Sequence, residues 1–158
     1  MKFIIIALLI IIAPSLSFAG TCQENIDSIT KDIYSDEEFH NFICGDSDCS
    51  QDNLLESIDI DEKQLGEKIS GCFVTPTKKA ENYYTSLYLI INNKLQPQFT
   101  FFGSFLCRTK KIINNHYVLY GEERTDAGSK ERYAFSWKDN NYISTSTRAL
   151  SAKSLKCW

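Results

Sequence analysis

Six cysteines (Cys22, Cys44, Cys49, Cys72, Cys107 and Cys157) offer the most chemistry in this 158-residue chain. An even number in an exported protein implies three disulfides, for which fifteen connectivities exist. A zinc site would want C-x-x-C pairs or clustered histidines. The tightest spacing here is the C-x4-C of "CGDSDC", and although His40 stands four residues before Cys44, a four-ligand set is not evident. Structural bridges are therefore expected, with no metal and no cofactor. Local spacing pairs Cys44 with Cys49. Cys72 with Cys107 would then tie the first strand to the sheet, leaving Cys22–Cys157 to join the ends.

Other constellations are weaker. "CGDSDCSQDN" alternates Asp46, Asp48, Ser50 and Asp52 like a calcium loop. An EF-hand needs Gly at position six and Glu at position twelve, where counting from Asp46 gives Gln51 and Ser57, so a solvated acidic turn is expected. Nucleophilic catalysis needs an activated Ser or Cys beside a base. There is no G-x-S-x-G, the cysteines are expected to be oxidised, and the histidines are only His40 and His116. Glu122, Glu123 and Asp126 could supply a carboxylate pair, but adjacent residues on a strand point to opposite faces. A small hydrolase using His116 or such a pair ranks third among the functions considered. Lys110, Lys111, Arg124, Arg132 and Lys138 lie among sheet aromatics. Such aromatics are more often core than base-stacking platforms, and an export leader argues against nucleic acid.

That leader is residues 1–19. Lys2 precedes ten apolar residues, 3–12, and Ser17 and Ala19 occupy the −3 and −1 positions of a cleavage site. Ten residues rise only ~15 Å as a helix, short of a ~30 Å hydrocarbon core. Cleavage near Ala19 would leave residues 20–158 as one soluble domain, periplasmic or secreted, with no membrane span. Lipidation of Cys22 is disfavoured, because Thr21 and Ala19 fit that pattern poorly.

The charge is divided. Residues 20–71 hold 14 Asp or Glu against 3 Lys, and residues 72–158 hold 13 Lys or Arg against 6 Asp or Glu. Either the two halves attract each other within the fold, or one presents a charged face to a partner.

The acidic half reads as helical. Thr21 and Glu24, then Ser35 and Glu38, form two capping-box patterns. Ile26, Ile29 and Ile33 make one apolar stripe, Phe39, Phe42 and Ile43 another, and Gly45 ends the second helix. A further helical turn is expected from Asp61, with Leu65 and Ile69 inward. The basic half reads as strands: "SLYLII", "QFTFFG", "HYVLYGE", "RYAFSW" and "YISTSTRAL", separated by Asn- and Gly-containing turns. The fold class is α+β, with short N-terminal helices followed by an antiparallel meander of about five strands, braced by disulfides.

In size, leader, disulfides and β-rich second half, the chain resembles small exported bacterial proteins that bind and neutralise an enzyme, such as periplasmic immunity proteins and lysozyme inhibitors. The leading expectation is a non-catalytic binding or inhibitory protein whose partner is a secreted or envelope enzyme or toxin, or else an anionic envelope polymer. An envelope-associated structural or glycan-binding module is the alternative. The expected contact surface is the loop 121–131 with the turns "NNK" and "KDNN", through Arg124, Asp126, Lys130, Trp137 and Lys138.

Overall fold

The computed structural model describes residues 21–45, 49–145 and 155–158. The leader, Asp46 and Asp48 of the acidic loop, and the end of "YISTSTRAL" lie outside the described residues. A 3₁₀ turn (Gln23–Asn25) leads into α1 (Ile26–Ser35), α2 (Glu37–Cys44) and α3 (Gln51–Glu56). Eight strands follow: β1 (Ile58–Gly66), β2 (Ile69–Pro76), β3 (Tyr83–Ile91), β4 (Lys94–Gly103), β5 (Phe105–Ile113), β6 (His116–Arg124), β7 (Lys130–Lys138) and β8 (Asn141–Thr145). They form a near-barrel, antiparallel throughout, in the order β4-β3-β2-β1-β6-β7-β8, with β5 pairing to β6.

The capping box at Thr21 is reciprocal: Thr21 N–H donates to Glu24 Oε2 (2.7 Å), and Glu24 N–H donates to Thr21 Oγ1 (3.2 Å). The second cap falls one residue later than expected. Asp36, not Ser35, accepts from the Phe39 N–H (3.1 Å), because Ser35 still belongs to α1. Ile29, Ile33 and Phe39 are fully buried against the outer face of the sheet, on Cys72, Val74, Tyr88 and Ile90. The opposite face of the same strands carries Phe73, Leu87 and Leu89 into a second core with Phe101, Leu119 and Phe135. With both faces covered, β3 reads as a nearly continuous apolar run rather than an alternation.

Two expectations about elements are corrected. The sheet has eight strands rather than about five and is not a simple meander, because β1 pairs with β6 and β4 does not pair with β5; the helical turn from Asp61 is the hairpin of β1 and β2. Leu65 and Ile69 are spaced as on a helix, yet they come together because the chain reverses between them, with Gly66 opposite Ile69. The fifth strand was hidden by an irregularity. Between Arg108 and Ile112 its register to β6 slips, which breaks the period-two pattern. Three hairpins close on left-handed residue pairs, Asn92-Asn93, Asn114-Asn115 and Asp139-Asn140, all with φ between 51° and 64°. Such pairs suit two-residue primed turns, whose twist matches the strands.

The cysteines pair as Cys22–Cys72, Cys44–Cys49 and Cys107–Cys157. The local bridge stands, whereas the expected Cys22–Cys157 and Cys72–Cys107 pairs do not form. Cys22 begins the helical layer, which packs on β2, so its partner is the β2 cysteine facing it. Cys157 lies beside β5 through the Thr109–Cys157 bridge, so it meets Cys107. Three disulfides are compatible with an oxidising extracytoplasmic location. No helix among the described residues is long and apolar enough to cross a membrane.

Candidate functional site

The near-barrel is split along one side. β1 and β6 share a single register position, Gly66 opposite His116. Away from it a cleft of about 380 Å³ lies between β1 and β2 on one wall and β5 with residues 157–158 on the other. Lys63, Lys79 and Arg108 line it against one acidic side chain, Asp61, with Phe73, Tyr83 and Trp158 as its aromatic surfaces. Lys63 lies 3.2 Å from Asp61, while Lys79 rests 5.5 Å from the centre of the Tyr83 ring. Burial pushes the Tyr83 phenol up from its ordinary value, so it stays neutral and able to donate.

Arg108 is the most constrained of these cations. Its guanidinium lies between two rings, 4.4 Å from the Tyr117 centroid and 4.2 Å from that of Trp158. Its Nη1 donates across the cleft to Gln64 O (2.8 Å), and its buried Nε has no hydrogen-bond partner among the described residues. Trp158 is held by a backbone hydrogen bond to Arg108 O (2.9 Å) and by the adjacent Cys107–Cys157 bridge, yet 57 % of it is exposed. Lys110 approaches the same ring at 5.4 Å. The result is a rigid cationic rim with an open indole face. It suits an anion that carries an apolar or flat surface, since a fixed guanidinium loses little freedom on pairing with a carboxylate.

The residues expected to make contacts do not form one surface. Arg124, Asp126 and Lys130 sit where β6 passes to β7, whereas Trp137 and Lys138 lie at the far end of β7. A nine-residue strand separates the two groups by roughly 26 Å. Arg124 is paired with Glu81, and Asn82 accepts from its backbone N–H (3.0 Å). Lys130 donates to Glu122 Oε1 (2.6 Å), with Arg132 3.7 Å from the other carboxylate oxygen. Trp137 stacks on His116, with ring centres 4.7 Å apart, and meets Tyr142 edge-on. Asp126 and Lys138 are exposed.

His116, Glu122 and Glu123 are each engaged by neighbouring groups of the sheet. His116 Nδ1 is bonded to its own turn at Asn114 O (2.6 Å), and the imidazole braces Trp137. Glu122 and Glu123 face opposite ways, as adjacent strand residues must. Glu122 meets Lys130, and Glu123 accepts from Tyr133 (3.0 Å). Sequence reasoning passed over Arg108, Trp158, Lys63 and Lys79. A signal existed in "CR" at 107–108 and "CW" at 157–158: pairing those two cysteines places the cation on the indole.

No protein-family model, no curated protein and no solved structure matches the chain.

Proposed function

We propose that the protein is an exported, non-catalytic binding protein that engages and neutralises a secreted or envelope enzyme or toxin, and that an acidic segment of that partner docks in the cleft between β1 and β5. The observation that carries this reading is the stacked Tyr117–Arg108–Trp158 assembly, fixed by a disulfide and flanked by Lys63 and Lys79. Pre-ordered cations and a rigid aromatic face are what give a small surface useful affinity. The leader-like residues 1–19 and the three bridges support export.

A second reading, an envelope glycan-binding module, is favoured by the exposed indole of Trp158, on which a sugar ring could stack. Capture from an envelope extract of the source organism separates the two. Immobilised wild type should retain a protein that survives glycosidase treatment and elutes with salt, and a Lys79→Glu/Trp158→Ala variant should not retain it. Retention of polysaccharide alone would favour the glycan module. Equal retention by wild type and this variant would remove the cleft from the account.

A further inference from the structure

In the helical layer, His40, Cys44 and Cys49 bring one imidazole nitrogen and two sulfurs within 4.8 Å of one another. His40 and Cys44 are i, i+4 on α2 and so share a face of that helix. Cys49 returns to the same point, its Sγ 4.0 Å from His40 Nε2. The His40 ring is oriented by an edge contact with Tyr34 at 4.9 Å. Tetrahedral zinc, with bonds of about 2.3 Å to sulfur and 2.0 Å to nitrogen, needs its ligands roughly 3.5–3.8 Å apart. In the structure the two sulfurs are bonded to each other, so the bridge must open and the sulfurs move apart before the three groups can surround an ion.

We propose that Cys44–Cys49 is a reducible bridge, and that its reduced form, with His40, is a three-ligand site for zinc(II). The bridge spans 5 residues, whereas Cys22–Cys72 and Cys107–Cys157 each span 50. A short loop restricts the unfolded chain least, so this bridge can open at the least cost to the fold. A dithiol reductant supplies the two electrons and two protons. Its sulfurs become a disulfide, the Cys44–Cys49 S–S bond breaks, and two thiols remain. Zinc(II) then releases both thiol protons as two Zn–S bonds form, and the Nε2 lone pair of neutral His40 provides the third bond. The fourth position stays open to solvent or to another donor. Bridge and metal site are two states of the same three residues.

The full chain tests this directly. Mild treatment with a dithiol, followed by alkylation and peptide mass mapping, should label Cys44 and Cys49 before the other four cysteines. Cobalt(II) added to that reduced protein should bind one per chain with a thiolate-to-cobalt charge-transfer band, and zinc(II) should displace it. The oxidised protein should show no band. Cys44→Ser/Cys49→Ser should abolish it, and His40→Ala should weaken binding roughly tenfold or more while leaving the melting temperature near wild type. Earlier labelling of Cys107 and Cys157, absence of the band in reduced wild type, or cobalt binding by the serine variant equal to wild type would each overturn the proposal.

Discussion

Glu122 is the buried carboxylate of the sheet, 7 % exposed, and it is neutralised from β7 rather than by solvent. The hydrogen bond from Lys130 holds its carboxyl below the usual range, against a desolvation that acts the other way. Because the folded value lies below the unfolded one, the ionised group stabilises the fold above the unfolded carboxylate range of about 4.3 and loses that contribution as pH falls through the folded value. Thermal melts between roughly pH 6 and 2 should therefore show a steeper acid loss for wild type than for Glu122→Gln. Parallel curves would mean that Glu122 is not held as described. At neutral pH, Lys130→Ala should cost about 1–2 kcal/mol by denaturant titration, more than an exposed charge would. A change within about 0.3 kcal/mol would return Lys130 to the role of a free surface charge. The sequence could not show this role, because Lys130 and Glu122 meet only through the β6–β7 register, which places Glu122 opposite Arg132. Gly121 is a further case, decided by packing across the interior, since Phe101 comes from β4, which does not pair with β6. A Cβ there would approach Phe101 Cζ to 2.7 Å, so Gly121→Ala should destabilise by about 1–3 kcal/mol through overpacking.

The elements were legible where a local rule sufficed. Paired Asn and Asp residues between apolar runs announced three hairpins, and Thr21 with Glu24 announced the first helix start. β1 and β5 were not legible, for different reasons. In "IDIDEKQLG" polar residues occupy most positions of an outer wall, and in "FLCRTKKII" the register slip removes the alternation. Cross-links between distant elements follow from packing, which explains why the local bridge was found and the two 50-residue bridges were not. The turn at Asn114-Asn115 gives a direct test. Asn115 holds φ 63°, so Asn115→Ala should lose about 1 kcal/mol in unfolding experiments, while Asn115→Gly should match or exceed wild type. Equal stability of the alanine and glycine variants would argue against a left-handed residue there. Disulfide removal should be graded by loop length: about 4 kcal/mol for Cys107→Ser/Cys157→Ser against about 2 kcal/mol for Cys44→Ser/Cys49→Ser.

At the scale of the whole molecule, no ion pair among the described residues joins the acidic half to the basic half. Among the described residues, the ion pairs lie within β1 or within the basic half: Lys63–Asp61, Arg124–Glu81, and Glu122 with Lys130 and Arg132. The helical layer joins the sheet instead through apolar packing, the Cys22–Cys72 bridge and hydrogen bonds from Tyr88 to Asp32 (2.8 Å) and from the Cys22 N–H to Glu62 (3.0 Å). Lys79, Arg108 and Lys110 are thus left beside aromatic rings, around a cleft that no reading of local sequence could outline. Residues of β1, β2, the start of β3 and β5 must converge with Cys157 and Trp158 to form it. If the proposed acidic partner docks there, its association should be steered by these cations and be sensitive to salt. The most direct measurement is the dissociation constant of the captured partner, taken at low and high salt. It should compare wild type, the cleft variant Lys79→Glu/Trp158→Ala and the distant variant Asp126→Lys/Lys138→Glu, each shown to melt like wild type. The account predicts at least about tenfold weaker binding and a shallower salt dependence for the cleft variant, with the distant variant within about twofold of wild type. Loss of binding by the distant variant while the cleft variant binds as wild type would contradict it.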